Sequence, residues 1–170
     1  MDQAYASFND ACKTVLGAEA YAYHQEYVSK TPDRYQPETL RRLRGAGQIT
    51  AAAYISSRRE LDASRRSVLR TFDSVDLLVT PTTPVPPFLI SDLLTDPSTM
   101  RTREVLMLRN TRPFNGWGLP TISIPCGFTK AGLPIGMQIT GRTVGEATVV
   151  RLAHAYEQAT EWHKRVPASV

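Results

Sequence analysis

The chain has 170 residues, 42% hydrophobic and 21% charged, with a formal charge of +4 from 20 Lys and Arg against 16 Asp and Glu. That length supports one folded domain without metal or disulfide staples, and the mixed charge pattern excludes a disordered chain. Apolar runs are only a few residues long where about 20 are needed to cross a bilayer, so no membrane partner is expected.

Residues 2 to 29 read as helix, rich in Ala, Glu, Gln, Leu and Tyr, with a break expected at Gly17 and a stop at Thr31-Pro32-Asp33. Pro37 then opens a short helix that Gly45 and Gly47 close. Thr50 is read as the N-cap of a long helix reaching about Phe72, with Tyr54, Ile55, Leu61, Val68, Leu69 and Phe72 as its apolar stripe. The other face carries Arg58, Arg59, Asp62, Arg65, Arg66 and Arg70. Asp62 lies four residues from both Arg58 and Arg66, so ion pairing accounts for part of this charge. Without interleaved aromatics or a Gly-rich loop, a solvated face is preferred to a nucleic-acid site, and no nucleic-acid partner is expected.

Asp76 to Thr80 is a short apolar run that reads as a buried strand, and Pro81, Pro84, Pro86 and Pro87 impose an extended loop after it. Residues 91 to 100 are polar and turn-rich, and 101 to 109 supply one or two helical turns before Thr111-Arg112-Pro113-Phe114-Asn115. Thr121–Pro125 and Pro134–Thr140 are strand candidates joined through Gly127 and Gly132, which suggests a hairpin. Asn115 is suited to bond backbone groups at the approach to these strands. Gly145-Glu146 opens a last helix to about Trp162, with Val149, Val150, Leu152, Ala153, Tyr156 and Ala159 as its buried face. The mixture is an α/β layer structure.

Chemical motifs are scarce. His24, His154 and His163 stand in no recognisable nucleophile–base arrangement, and there is no G-x-S-x-G, H-E-x-x-H, P-loop or dinucleotide fingerprint. Ser123 and Cys126 read as structural. His154, Glu157 and Glu161 share one side of the last helix, but three such residues without a partner motif read as a polar face, so no metal and no cofactor is expected. Cys12 and Cys126 lack zinc or redox spacing and nothing at the N-terminus resembles a secretory signal, so the expected compartment is the reducing cytoplasm.

The stretch from Arg109 to Phe128, RNTRPFNGWGLPTISIPCGF, closely resembles the C-terminal motif of the amidase signature family. Gly132 to Arg142, then Glu146, Ala155-Tyr156-Glu157 and Trp162, follow in the order and spacing of that family. Upstream, Asp76 to Pro84 resembles its strand-and-proline-loop segment, and Glu19 to Glu26 its preceding helix. The resemblance covers about residues 18 to 165. It implies the C-terminal part of the amidase-signature fold, with short strands of a mixed sheet packed by helices, and residues 1–170 as a single partial domain.

The resemblance also implies a chemistry, the hydrolysis of carboxylic amides by a Ser-cisSer-Lys triad in which Lys deprotonates the bridging Ser and that relays to the nucleophilic Ser. In the family the triad lies in the N-terminal half of a chain several hundred residues long. No Gly-Gly-Ser-Ser-Gly-like block occurs here, and Lys13, Lys30, Lys130 and Lys164 stand in no matching context, so no catalytic residue is carried over. What can be assigned is one wall of the acyl pocket, formed by Thr111, Arg112, Phe114, Asn115 and Trp117, facing a small-molecule amide in the full-length enzyme. Glutamine-using amidotransferases of the family carry an Asp, suited to hold the amino group of glutamine, three residues before the Thr that aligns with Thr111. Here that residue is Leu108, which favours a general or non-polar amide. Sheet edges left open by the missing elements lead to an expected homo-oligomer. A non-catalytic binding partner with an amidase-like core and an Arg-helix nucleic-acid binder are the competing readings.

Overall fold

The computed structural model describes residues 3–166, which form two compact units, one ending at Ser67 and one starting at Val68. In the first, α1 (Gln3–Lys30) is followed by a 3-10 turn at Pro32–Arg34, α2 (Pro37–Ala46) and α3 (Ala51–Val68). The expected break at Gly17 is absent, and α1 runs through it as one helix of 28 residues. Gly17 serves close packing instead: a Cβ there would lie 3.3 Å from Ile49 Cδ1 and 3.4 Å from the Ala46 Cβ. Gly47 acts in the same way. Its φ of −63° needs no glycine, but a Cβ would stand 2.7 Å from the Tyr21 ring. Asp2 lies outside the described residues.

Phe8, Ala11 and Val15 form the buried stripe of α1, joined in the core by Val28, by Leu43 of α2 and by Leu61 of α3. Thr50 caps α3 as expected, its Oγ1 accepting the Ala53 N–H at 3.1 Å. The stripe expected on α3 is narrower than its pattern suggests, since Ile55 is 47% exposed and Leu69 belongs to a 3-10 turn at Leu69–Asp73. Asp62 pairs with Arg58 at 4.0 Å and with Arg65, rather than Arg66, at 3.3 Å; Arg58 also reaches Glu19 at 3.7 Å.

The second unit holds β1 (Leu77–Pro81), α4 (Ile90–Thr95), α5 (Pro97–Met107), α6 (Arg112–Trp117), β2 (Thr121–Phe128), β3 (Pro134–Gly141) and α7 (Glu146–Ala159). The expected turn-rich stretch 91 to 100 is helical for most of its length. Pro97 starts α5, where its fixed φ and missing N–H are tolerated. The hairpin forms, with β2 antiparallel to β3, Ile122 opposite Ile139 and a register shift between Pro125 and Gly127. β1 pairs antiparallel with the other edge of β3, Val79 opposite Ile139, so the sheet order is β1-β3-β2.

Alternation along these strands separates two faces. One is apolar, where Ile124 and Ile139 bury against Val149 and Ala153 of α7, with Leu77, Ile122, Met137 and Tyr156 around them. The helix face is again narrower than expected, as Val150 is 55% exposed and Leu152 and Ala159 also face solvent. Trp162 follows α7 in a 3-10 turn, packs on Phe128 at 6.2 Å, and is covered by the Arg165 guanidinium at 4.9 Å. No helix among the described residues is long and apolar enough to cross a membrane.

Candidate functional site

The opposite face of the sheet is mostly hydroxyl and amide side chains. Thr80, Gln138 and Thr140, with Thr121 and Ser123, occupy its strand positions beside Leu78, and none carries a charge. Gln138 is 3% exposed and donates from Nε2 to Thr80 Oγ1 at 3.0 Å and to the Asn110 carbonyl at 3.1 Å. Asn110 in turn donates from Nδ2 to the Pro81 carbonyl at 2.9 Å. A buried amide satisfied in this way is a stiff support, since opening it leaves polar groups desolvated without partners.

At the end of β1, Thr82 and Ser123 meet with their hydroxyl oxygens 2.6 Å apart. They come from opposite flanks of β3 and approach over Gly136, where a Cβ would fall 2.7 Å from Thr82 Oγ1 and 2.8 Å from Ser123 Oγ. The Thr82 N–H donates to the Gly136 carbonyl at 2.9 Å, fixing one side of the pair to the central strand.

The segment expected to form the pocket wall follows directly on Asn110. Thr111 stands at the N-cap position of α6 without a side-chain cap bond, its hydroxyl donating back to the Leu108 carbonyl at 3.4 Å instead. Arg112 and Pro113 open the helix. Phe114 is buried and meets Trp117, half-buried, edge to face at 5.6 Å. Gly118 then ends α6 in the left-handed region at φ 70°, where glycine carries no Cβ penalty. The Pro120 carbonyl accepts the Gly141 N–H at 3.0 Å and ties the exit of α6 to β3. The five residues lie within one short segment, in which Phe114 turns inward while Asn115 is exposed. The side chain that bonds backbone near the strands is that of Asn110, not the Asn115 expected from the sequence.

Two concavities are formed by other residues. One of about 470 Å³ is lined by Tyr21, Gln25, Val28, Ser29, Pro32, Arg44 and Gln48, and one of about 190 Å³ by Phe72, Val75, Asp76, Gly141, Arg142, Val144, Gly145 and Thr148. Neither includes any part of Thr111–Trp117. Among side chains able to attack a carbonyl, Thr82 and Ser123 bond each other rather than a His or Lys. Burial pushes the Cys126 thiol above its ordinary value, which disfavours the thiolate. His24 is tied to the Tyr35 hydroxyl at 2.8 Å in the first unit, and His154 and His163 lie at the surface. Among the described residues no cluster of three or more His, Cys, Asp or Glu could hold a metal ion; Glu161 pairs with Lys164 at 3.0 Å.

Known proteins share both sequence and fold with this chain. The A subunit of glutamyl-tRNA(Gln) amidotransferase from Lysinibacillus sphaericus (strain C3-41) is 38% identical over 160 residues, which cover 86% of this chain and 32% of that protein. The protein of the same name from Microcystis aeruginosa (strain NIES-843 / IAM M-2473) is 41% identical over 164 residues, covering 94% and 33%. The structure of 6-aminohexanoate cyclic dimer hydrolase complexed with substrate superimposes with a TM-score of 0.79 at 28% identity, over 98% of this chain and 37% of that one. A crystal structure of an amidase shares the fold with a TM-score of 0.77 at 21% identity, over 89% and 35%. This chain therefore spans about a third of the length of these relatives. The family model described as Amidase matches residues 3–150, taking in α1 to α6, all three strands and the start of α7; the chain belongs to the amidase family.

Proposed function

We propose that this chain is part of an amide-hydrolysing enzyme in which Thr111, Arg112, Phe114, Asn115 and Trp117 form one wall of the acyl pocket and the nucleophile is supplied by residues outside these 170. The observation that carries the reading is the family match over residues 3–150 combined with a hydroxyl-rich sheet face on which Thr82 and Ser123 bond each other rather than a base. A serine or threonine hydroxyl is a weak nucleophile until a neighbouring base takes its proton. Binding and orientation of an amide are within reach of this surface, and bond cleavage is not.

A fluorophosphonate probe tests the reading. No serine of the isolated chain is labelled, whereas the chain expressed with a polypeptide carrying the family's Gly/Ser-rich block gains labelling on that block. Stoichiometric labelling of a serine in the isolated chain, abolished by one Ser→Ala change, overturns the proposal. A second reading, the glutamine-hydrolysing role, is favoured by the names of the two similar amidotransferase proteins and opposed by Leu108. Comparing glutamine with an aliphatic amide as substrate of the assembled enzyme separates the two.

The proposal extends to partners. Among the described residues β1 and β2 pair only with β3, so each leaves an outer edge through which a second copy can associate. Sedimentation equilibrium over a hundredfold concentration range reads this as a mass above 18.9 kDa. The Arg58 and Arg65 pairings with Glu19 and Asp62 support a solvated α3 face, with only weak, salt-sensitive binding to nucleic acid. Cys12 and Cys126 are not joined in a disulfide, which suits a reducing cytoplasm.

A further inference from the structure

The Thr82–Ser123 pair is more than a strand-to-strand tie. We propose that these two hydroxyls, seated over Gly136, are a recognition point for the neutral carboxamide of the substrate. The inference rests on the amide-hydrolysing reading and deepens it by naming a contact outside the α6 wall.

The argument starts from protons. Two hydroxyls carry two protons, and their mutual hydrogen bond at 2.6 Å uses one. One O–H and the remaining lone pairs are left over, and Ser123 is exposed while Thr82 is half-buried, so they can reach a ligand. The pair thus offers one donor beside one acceptor. A carboxamide has the matching arrangement, a carbonyl that accepts and an N–H that donates.

Charge selects among polar ligands. The strand positions on the same face are Leu78, Thr80, Gln138, Thr140 and Thr121, all neutral. Thr121 and Thr140 bond each other at 3.0 Å, and the Gln138 amide nitrogen donates to Thr80 and Asn110. These groups hold the face in place, and none can neutralise a carboxylate or an ammonium ion. A charged ligand would lose hydration without gaining a counter-charge from these strand positions, whereas a neutral amide exchanges water for two hydrogen bonds.

Geometry gives the pair its rigidity. Ser123 sits in register opposite Gln138, Thr82 is bonded through its N–H to Gly136, and only a residue without a Cβ at position 136 lets the two oxygens meet. The glycine therefore fixes the spacing of the two hydroxyls, and any larger residue separates them.

The test uses the chain itself and backbone amide NMR. Hexanamide is titrated against wild type, Thr82→Val, Ser123→Ala and Gly136→Ala, with hexanoate and hexylamine as charged probes of the same length. The expected result is saturable shifts at Thr82, Ser123 and Gly136 with hexanamide, at least tenfold weaker binding in Thr82→Val and Ser123→Ala, and no saturable shift at these residues with hexanoate or hexylamine. Thr82→Val keeps the side-chain shape, and its unperturbed spectrum elsewhere shows that the fold survives. Wild-type shifts that do not saturate, equal binding by hexanoate, or unchanged hexanamide affinity in both hydroxyl variants overturns the proposal. Serine labelling of the assembled enzyme reads the hydrolytic function separately, so either conclusion can fail while the other holds.

Discussion

Truncating Ile139 to Ala should destabilise the second unit more than a truncation at its cross-strand neighbour Val79. Ile139 is 0% exposed in the middle strand, between Val79 of β1 and Ile122 of β2 and under Val149 and Ala153 of α7. Val79 occupies the same row at 53% exposure, because α7 lies mainly over β2 and β3. Removing buried methylenes from a site closed on all sides loses transfer free energy and leaves a cavity, so Ile139→Ala costs about 3 kcal/mol. Val79→Ala exposes little new surface and costs under about 1 kcal/mol. Trp117 and Trp162 are the only tryptophans and both lie in this unit, so indole fluorescence during urea unfolding reports it selectively. With a slope of about 1.5 kcal/mol per molar urea, the midpoint falls by roughly 2 M for Ile139→Ala and by about 0.7 M or less for Val79→Ala. Equal shifts for the two variants, or a shift under about 0.5 M at Ile139, would refute the placement of the core.

Three further outcomes follow from local chemistry. Side-chain hydrogen bonds from Arg41 and then Arg42 hold the Glu38 carboxyl at about 2, below its ordinary 4.5, so its contribution to α2 is present above 4.5 and is lost as pH falls toward 2; a carbon-detected titration with a midpoint near 4 contradicts this. Val144 is 86% exposed with φ 60°, a left-handed backbone that disfavours β-branched residues, so Val144→Asn should raise stability by about 1 kcal/mol, and a loss of stability in urea unfolding would count against the strain. The Cys126 thiol, pushed up by burial and set 3.5 Å from the Ile135 carbonyl, should react with a disulfide reagent at pH 8 more slowly than free glutathione; a faster rate means that the site is open.

Much of the architecture could be read from punctuation. Pro81, Pro125 and Pro134, with Gly127 and Gly132, bound short β-branched runs, and the hairpin follows because both runs are too short to bury alone. Helical turns at 101 to 109 are legible, but the start of α5 is hidden because its first turn, Pro97-Ser98-Thr99, has the composition of a loop, although proline at a first helical position has a stereochemical reason. Gly17 misleads for the opposite reason: a glycine inside a helix signals a break locally, and only the approach of Ala46 and Ile49 explains it. The candidate wall at Thr111–Trp117 is a single continuous segment, so a motif locates it. The Thr82–Ser123 pair joins residues 41 positions apart through a third strand, and no spacing rule along the chain can find it. Gln138 and Asn110 escape notice likewise, because an isolated amide in a strand or before a helix carries no pattern until the register is known.

The strand order has a consequence for how the protein is made. β2 and β3 are separated by a five-residue turn, residues 129–133, and can pair within microseconds once both exist. β1 instead waits for residues 82–133 to be synthesised before its partner begins to emerge, roughly 3–10 s at ordinary translation rates. During that interval the run Leu77-Leu78-Val79 is an unpaired apolar strand on a nascent chain, a target for chaperones and a starting point for aggregation. Yield in the cell therefore depends on how fast the stretch between β1 and β3 is translated, and slow codons within 82–133 should divert more of the product into inclusion bodies than slow codons after Gly141.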